Sequence, residues 1–442
     1  MPTPPEKNGG GPTRLDASSP DFEASFQALL AEKRETSDDV NAAVSAIIVD
    51  VRARGDAALI ELTKKFDRTT VSTKTMRVSE AEIADAVSAI DSDLMAALKT
   101  AADRIGAFHK RQLPENIDYT DEAGVRLGLR WGPVQAVGLY VPGGTAAYPS
   151  SVLMNAIPAT VAGVSRRVMV VPTPDGTLNP LVLAAASVAG VTEIYRIGGA
   201  QAVAALAFGT ETISPVDKIV GPGNAYVAAA KRQVFGTVGI DMIAGPSEIL
   251  VVADGDNDPS WIAADLLSQA EHDTAAQSIL ITNDGAFADA VETAVEARLK
   301  TLPRADIAGK SWADFGAIIV VGSFDKAVAL IDRIAPEHLE LAVEDPDGLA
   351  AKVTNAGAIF LGRFTPEAIG DYVAGPNHVL PTARSARFSS GLGVLDFMKR
   401  SSLIGCDADA LGRIGPAAVK LAEAEGLDAH ALSVAIRTNK KL

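Results

Sequence analysis

The chain has 442 residues, a formal net charge of −15 and 48% hydrophobic residues. This composition is typical of globular proteins, so a mainly disordered chain is excluded. The negative charge repels phosphate backbones and no basic tract offsets it, so nucleic acid is not an expected partner. Because Cys406 is the single cysteine, an internal disulfide and a cysteine-built zinc site are both excluded.

The N-terminus predicts neither a secretory signal nor a membrane anchor. Residues 1–18 are rich in Pro, Gly and charge and lack the apolar core of a signal peptide. The longest uncharged stretch, 131–165, contains glycines and prolines too densely for a spanning helix. We therefore expect a cytoplasmic protein with no membrane partner.

Two helical segments precede the rest of the chain. Apolar residues from Val40 to Val51 recur at helical spacing. A second helix is predicted from Ser79, which forms a capping box with Glu82, to about His109. At the end of this amphipathic helix, His109 is expected to be solvated.

From residue 131 onward, short β-branched segments alternate with Ala-rich helical segments. The predicted strands are 167–171, 194–197, 218–220, 248–252, 278–282, 317–321 and 358–362. The predicted helices between them are 181–189, 201–208, 225–234, 259–272, 286–299 and 327–334. This alternation indicates parallel sheets covered on both faces. Past Ser389 the pattern is helical only, so we predict two α/β units and a small helical tail.

Glycine-rich turns follow several of the predicted strands, at 143–144, 198–199, 221–223 and 245–246. In open α/β sheets, ligands bind beyond the carboxyl ends of the strands, so these turns are the expected rim of a site. The nearest match to a dinucleotide fingerprint, 221–226, lacks its last glycine. The glycines are therefore read either as tight turns with positive φ or as a modified nucleotide site.

Several polar residues are candidates for a catalytic or metal-binding role, although each also has a purely structural interpretation. Gln269 and His272 share one helix face, which suits a metal site or a polar helix end. Asp371, near the end of a short helix, reads first as a surface residue. Glu337 and His338 could act as two bases, or simply begin a helix. Four of the five histidines occupy polar positions beside turns: His272, His338, His378 and His430. This favours an active site that uses histidine.

Together these segments resemble the histidinol dehydrogenase family from about residue 20 to the C-terminus. The stretches that carry the resemblance are 138–159, 219–236, 241–254, 268–273 (SQAEHD), 335–341 (APEHLEL) and 365–382. The resemblance implies oxidation of L-histidinol to L-histidinal and then L-histidine, with reduction of two NAD⁺. It also implies one Zn²⁺ per subunit.

The resemblance also implies individual roles. The implied zinc ligands are Gln269, His272, Asp371 and His430. The implied general bases are Glu337 and His338. The implied substrate contacts are Ser247, Gln269, His272, His338, Asp371, His378, Glu425 and His430. The implied NAD contacts are Tyr140, Gln201 and Asn224.

The resemblance further implies two incomplete Rossmann-like, doubly wound α/β domains and a homodimer. In that dimer the helical tail, 389–442, reaches the partner's site, so Glu425 and His430 would serve the neighbouring subunit. We expect one domain from 37–139 with 251–388 and the other from 140–250. Residues 1–36 are expected to form an N-terminal extension associated with the tail.

Three other readings compete with this one. A relative on the same scaffold could oxidise another hydroxylated substrate, such as a sulfonated diol. A small-molecule binding protein could use the same two-lobed architecture without catalysis, but would leave Glu337 and His338 unexplained. A structural or regulatory assembly protein would bind no metal.

Overall fold

The computed structural model describes residues 11–31, 38–143 and 148–438. The strands are β1 Thr13–Asp16, β2 Ile117–Thr120, β3 Arg126–Pro133, β4 Ala136–Tyr140, β5 Arg166–Val170, β6 Glu193–Tyr195, β7 Lys218–Val220, β8 Gly239–Ile240, β9 Glu248–Ala253, β10 Gln277–Thr282, β11 Ala317–Val320, β12 His338–Ala342, β13 Ala358–Leu361 and β14 Met398–Gly405.

The helices are α1 Phe22–Ala31, α2 Asp38–Arg54, α3 Asp56–Phe66, α4 Glu80–Ala89, α5 Ser92–Lys110, α6 Pro149–Ala162, α7 Pro180–Val188, α8 Gly199–Phe208, α9 Ala225–Val234, α10 Pro259–Ala270, α11 Gly285–Leu299, α12 Ala305–Phe315, α13 Phe324–Ile334, α14 Pro346–Ala350, α15 Glu367–Tyr372, α16 Ala408–Ala424 and α17 Asp428–Ala435. Short 3₁₀ turns lie at Pro174–Gly176, Ser385–Arg387, Val394–Phe397 and Ile436–Thr438.

Two parallel sheets share one strand order. The five-stranded sheet runs β6-β5-β4-β7-β8. The six-stranded sheet runs β1-β11-β10-β9-β12-β13. Its strands β11-β10-β9-β12-β13 follow the same order, with β9 in the place of β4, and β1 is added at the edge. In each sheet the strand order reverses beside the first strand of that order, β4 or β9, and this is the switch point of a doubly wound fold. The predicted α/β class with two incomplete Rossmann-like units is therefore confirmed.

Each sheet is covered by helices on both faces. The faces of the five-stranded sheet pack against α4–α7 and against α2, α3, α8 and α9. The six-stranded sheet packs against α1, α13 and α14 on one face and α10–α12 on the other. Apolar burial of this kind is the main stabilising contribution in an α/β fold.

This packing differs from the expected grouping of residues. Helices α2–α5 pack on the five-stranded sheet, so they do not join 251–388 as the sequence suggested. Residues 13–31 are not an extension associated with the tail, because β1 pairs with β11 and Phe26 and Leu29 are buried in the core of the six-stranded sheet. The division into independently folding domains stays a prediction.

A third sheet is antiparallel and consists of strands β2, β3 and β14. Helices α16 and α17 follow β14 and pack against each other, and Arg413 on α16 donates to the carbonyl of Ala123 in the β2–β3 turn. We call β2, β3, β14, α16 and α17 the arm. The prediction that the chain is only helical past Ser389 is wrong for β14, whose eight residues pair with β3. The pairing partner is distant in sequence, so local periodicity did not indicate a strand.

The predicted long helix from Ser79 is in fact two helices. The capping box of Ser79 and Glu82 is present, but α4 ends before Asp91, whose carboxylate caps α5. His109 is fully buried rather than solvated. It continues the face formed by Leu98, Ala101 and Ile105, and its Nδ1 lies 2.8 Å from the carbonyl oxygen of Ile105.

No helix within the described residues has both the length and the apolar character needed to cross a membrane.

Candidate active site

The candidate site is built around the backbone of Glu248, where β9 begins. The backbone N–H of Glu248 donates to Oε2 of Glu337 at 2.9 Å. Its carbonyl oxygen lies 2.9 Å from Nδ1 of His338. A carbonyl can only accept, so Nδ1 carries the proton and Nε2 is the basic nitrogen. One peptide segment therefore orients both predicted bases.

Glu337 and His338 do not begin a helix. His338 is the first residue of β12, which is paired with β9 on one side and β13 on the other. Both side chains are buried, with 5% and 4% exposed. A histidine buried between parallel strands keeps the orientation that the strand gives it, which a helix end would not ensure.

The free nitrogen of His338 faces two carboxylates on α15. Nε2 lies 3.8 Å from Oε1 of Glu367 and 3.9 Å from Oδ1 of Asp371. One ligand atom from each of these three residues lies within 4.8 Å of the others. A cluster of one imidazole and two carboxylates matches the nitrogen and oxygen donors that Zn²⁺ accepts.

Asp371 is not the surface residue that its sequence context favoured. Burial opposes its ionisation, but the nearby imidazoles, that of His378 foremost, together lower its pKa. Nδ1 of His378 lies 3.6 Å from Oδ1 of Asp371, and its Nε2 lies 3.3 Å from Oγ of Ser151. Asp371 is therefore held as an anion in the centre of the cluster.

Glu367 was not singled out by sequence reasoning. It is 2% exposed, and burial together with the charge of Asp371 raises its pKa to about 8. Its Oε1 has no hydrogen-bond partner in the described part of the chain, while Oε2 accepts from Oγ of Ser268 at 3.2 Å. The available signal was its spacing of four residues from Asp371, which puts both on one helix face.

Gln269 has a buried side-chain amide whose hydrogen-bonding groups are unused in the part of the chain that the structure describes. It is 1% exposed on α10, yet among the described residues neither its Oε1 nor its Nε2 has a partner. Buried amides are rarely left without hydrogen bonds. The adjacent Ser268 joins α10 to Glu367. His272 follows α10 directly, and the charge of Asp371 acts on its imidazole. His272 therefore lies near the cluster, while Gln269 is buried one turn before it on α10.

The two tail residues do not join this cluster within one chain. Glu425 follows α16 and His430 lies on α17, and both side chains are exposed. No hydrogen bond or ion pair in the described ranges links either one to His338, Asp371 or Gln269. Ser247, in contrast, immediately precedes Glu248 and so lies beside the bases.

The predicted cofactor residues meet at the carboxyl edge of the five-stranded sheet. Tyr140 ends β4, and its hydroxyl accepts from the N–H of Gly199 at 3.0 Å. Burial raises the pKa of Tyr140 to about 12. Gln201 is 1% exposed in the first turn of α8, and Asn224 caps α9. The N-terminus of α9 thus lies at the switch point, and that of α8 lies on the same sheet edge and is bonded to Tyr140. Helix N-termini at such an edge suit phosphate groups.

Gly221 allows this edge to close tightly. Its φ is +107°, and an added Cβ would lie 2.1 Å from the carbonyl oxygen of Tyr140. Its N–H donates to Asp241 at 2.7 Å, and its carbonyl accepts from Lys231 at 2.9 Å. Lys231 and Asp241 also form a buried ion pair. The turn after β7 is therefore fixed on both sides.

The loop from β8 to β9 connects this crevice with the acid–base cluster. Residues 241–247 follow β8 and end at Ser247, directly before Glu248. A crevice of dinucleotide-binding topology thus leads to two oriented bases and an unsatisfied set of metal donors. This combination defines an NAD-dependent α/β oxidoreductase.

Comparison with known proteins gives the family. A family model described as histidinol dehydrogenase matches residues 30–438. Histidinol dehydrogenase from Rhodospirillum rubrum is 71% identical over 430 residues, covering 97% of this chain and 99% of the relative. The enzyme from Rhizobium meliloti is 67% identical, covering 96% and 98%. The chain belongs to the histidinol dehydrogenase family.

A solved structure supports the same assignment. The crystal structure of histidinol dehydrogenase from Elizabethkingia anophelis superposes with a TM-score of 0.92 at 38% identity. The match covers 97% of this chain and 98% of that one. The resemblance stated from the sequence motifs is confirmed.

Proposed function

We propose that the chain oxidises L-histidinol through L-histidinal to L-histidine, the last steps of histidine biosynthesis, and reduces two NAD⁺. The observation that carries this proposal is the orientation of His338. Its Nδ1 is fixed by Glu248, and its Nε2 faces the cluster that includes Asp371. A base held in this way can act in successive proton transfers without changing its tautomer.

His338 would take the alcohol proton in the first oxidation and assist again in the second. Glu337, whose Oε2 lies 3.8 Å from Nδ1 of His338, would activate the water that hydrates the aldehyde. The two roles are compatible because the bases approach the reacting carbon from adjoining positions on one segment. Burial of both side chains also limits the access of other water to the aldehyde.

Asp371 of the cluster, together with Gln269 and His272 on and after α10, offers oxygen and nitrogen donors that fit a zinc ion. Coordination of a metal ion by the amide oxygen of Gln269 would explain why this buried oxygen has no partner among the described residues. We propose Gln269, His272 and Asp371 as ligands, with His430 of a second subunit completing one site per subunit. When bound, Zn²⁺ would orient the substrate, since N and O ligands leave positions open for it. Glu367, which lies one turn before Asp371 on α15, would help to position Asp371.

The remaining proposed substrate contacts are Ser247, His378 and Glu425. His378 is already anchored between Ser151 and Asp371, so it presents a fixed surface to the substrate. Glu425 supplies a carboxylate suited to the amino and imidazole groups of histidinol. Holding the substrate at several points would keep the aldehyde bound between the two oxidations.

The crevice at the switch point fits NAD⁺, which would accept the hydride when bound. The fit rests on the N-termini of α8 and α9 and on the close turn at Gly221. Tyr140, Gln201 and Asn224 are the proposed contacts. Because residues 241–247 lead to the bases, the nicotinamide would lie on the β7–β8 side of the sheet.

We propose a homodimer in which the arm completes the partner's site. Large apolar side chains on the arm are exposed, including Tyr119, Ile404, Leu421 and Leu432. An exposed apolar surface of this extent is typical of a protein interface. The dimer would bring Glu425 and His430 to the partner's cluster. As a biosynthetic enzyme with these substrates, the protein is proposed to act in the cytoplasm.

The experiment that tests the function compares substrates. Zinc-supplied protein is given NAD⁺ with L-histidinol or, at the same concentration, with a sulfonated diol such as 2,3-dihydroxypropanesulfonate. NADH formation with histidinol alone is the expected result. Turnover of the diol without turnover of histidinol would keep the oxidoreductase class and reject the proposed substrate.

A further inference from the structure

The carboxyl end of β5 holds an acidic residue that has no role in the function described above. In the strand order of the five-stranded sheet, β4 is the first strand and β5 is the second. In dinucleotide-binding folds of this order, an acidic residue beyond the second strand binds the ribose hydroxyls of the adenosine half. The question is which carboxylate of this chain occupies that place.

Two carboxylates lie beside the loop that follows β5. Asp175 belongs to the loop, is exposed, and is bound by Arg68 through two hydrogen bonds of 2.7 and 2.6 Å. Its charge is therefore already neutralised. Asp67 comes from the end of α3 instead, and its Oδ2 accepts from the N–H of Thr173 at 3.3 Å.

Asp67 is the carboxylate with unused capacity. It is 7% exposed, and its Oδ1 receives no hydrogen bond within the described residues. Burial raises its pKa, which is the cost of a desolvated carboxylate without enough donors. Oδ1 is not among the fully buried, unpartnered oxygens of the described residues, so it reaches solvent and can accept a hydrogen bond from a ribose hydroxyl.

The position of Asp67 is fixed by the loop itself. Its backbone carbonyl accepts from the N–H of Asp175 at 2.7 Å, and Thr69 donates to the carbonyl of Thr173 at 2.9 Å. Asp67 is also near enough to Tyr140 for its charge to raise the pKa of that phenol. The carboxylate therefore lies between the ends of β4 and β5, on the same edge as the proposed cofactor residues.

The direction of the bound dinucleotide follows from the chain path. Residues 241–247 connect β8 to the acid–base cluster, so the nicotinamide half belongs on the β7–β8 side. The adenosine half must then extend over β4 and β5, toward Asp67.

We propose that Asp67 accepts a hydrogen bond from the 2′-hydroxyl of the adenosine ribose of NAD⁺ and thereby selects NAD⁺ over NADP⁺. The inference rests on the proposed use of NAD⁺ at the five-stranded sheet. A carboxylate accepts from a hydroxyl but repels the 2′-phosphate that NADP⁺ carries in its place. Asp67 would thus determine cofactor choice although it belongs to no glycine-rich motif.

The test measures cofactor affinity for wild type, Asp67→Ala and Asp67→Asn, with Asp175→Asn as the matched control on the neighbouring loop. Each protein is given NAD⁺, NADP⁺ and the analogue of NAD⁺ that lacks the adenosine 2′-hydroxyl, and KM, kcat, zinc content and Tm are recorded. Losing a hydrogen bond to a charged group should weaken wild-type binding of the deoxy analogue by about 10- to 100-fold.

The effects of removing the Asp67 carboxylate and of removing the adenosine 2′-hydroxyl on cofactor affinity should be coupled. Asp67→Ala should raise the KM for NAD⁺ and remove the preference for NAD⁺ over its deoxy analogue, with kcat within about twofold and zinc content unchanged. Preference against NADP⁺ should also fall. Asp175→Asn should keep the wild-type pattern, because its carboxylate is directed to Arg68.

Other outcomes separate the inference from the proposed function. Equal affinity of the wild-type protein for NAD⁺ and the deoxy analogue would overturn the role of Asp67 even if no variant folded. A wild-type preference that persists in a folded Asp67→Ala protein would overturn it as well. Wild-type protein that neither binds NAD⁺ nor reduces it would overturn the proposed function together with the inference.

Discussion

The imidazole of His338 has one nitrogen committed to the protein and one directed at the cluster. Nδ1 donates to the carbonyl oxygen of Glu248, while Nε2 has no hydrogen-bond partner among the described residues. Nδ1 therefore orients the ring, and Nε2 is available to accept a proton. The proposed base can therefore be altered without removing Gln269, His272 or Asp371, the proposed zinc ligands of this chain.

Replacing His338 should consequently affect turnover and spare the metal. We expect His338→Ala to lower kcat by about 10²- to 10⁴-fold, the range usual for loss of a general base. Zinc content, measured on the purified variant by metal analysis, should remain that of wild type. A variant that loses its zinc would instead make His338 a ligand.

The residue scale also shows what the sequence could and could not predict. Motif reasoning located Glu337, His338 and Asp371, but it missed Glu367, whose importance depends on being buried beside Asp371. His109 was expected in solvent because it lies near a helix end, yet it lies on the buried face. Burial depends on tertiary packing, which spacing along one helix only partly reports.

At the scale of elements, β12 carries a buried carboxylate, Glu340, two residues beyond His338. Glu340 is 3% exposed and accepts a hydrogen bond from the backbone N–H of Glu367. Burial and the charge of Asp265 on α10 raise its pKa well above its ordinary value. The fold therefore favours the protonated acid, so its stabilising contribution is present at low pH and is lost as pH rises through the folded-state pKa.

Glu340→Gln should make the stability of the protein less dependent on pH. Glutamine keeps an oxygen for the N–H of Glu367 but does not ionise. In metal-free protein, the fall in unfolding free energy from pH 5 to pH 8 should be smaller for this variant than for wild type, as measured by urea denaturation. Glu344→Gln, an exposed change just after β12, is the control. A variant with the wild-type slope would contradict the pKa direction given for Glu340.

The turn after β7 makes a second prediction for an element. Gly221 and Gly236 both have positive φ, but only Gly221 is crowded, whereas an added Cβ at Gly236 has nothing within 4 Å. Gly236→Ala should cost about 1–3 kcal/mol from backbone strain alone. Gly221→Ala should be more destabilising and should also raise the KM for NAD⁺, because the turn must move from Tyr140. Thermal unfolding and cofactor kinetics measure both effects, and equal behaviour of the two variants would contradict the close approach.

Elements were predictable where their signals are local. The strands β5, β7, β9, β10, β11 and β13 were predicted within a residue or two. Strand β12 was missed because Pro336 and Glu337 resemble a helix start, and its pairing with β9 and β13 decides otherwise. Strand β14 was missed because its partner β3 is far away in the chain, and the hairpin of β2 and β3 was missed because its side chains are mostly not buried.

At the scale of the whole molecule, the proposed dimer explains both the exposed arm and the incomplete set of proposed zinc ligands in one chain. Glu425 and His430 are exposed on the arm, while the buried amide of Gln269 has no hydrogen-bond partner in the described part of the chain. If each arm serves the neighbouring subunit, catalytic and tail defects can be placed on different chains and still leave one intact site per dimer.

Mixing two inactive variants should therefore restore activity. When His338→Ala and His430→Ala chains are unfolded, mixed equally and refolded, random pairing should recover about a quarter of wild-type sites. The readout is NADH formation with histidinol, with each variant refolded alone as the control. If the arm served its own chain, every site would carry a defect and mixing would restore nothing.

Whether one active site carries out both oxidations can be read from the yield of NADH. Zinc-supplied protein is given limiting L-histidinol and excess NAD⁺, and total NADH is compared with the histidinol consumed. The proposed function predicts a ratio near two, with L-histidine as the product. A ratio near one with accumulated aldehyde, or no NADH at all, would contradict it.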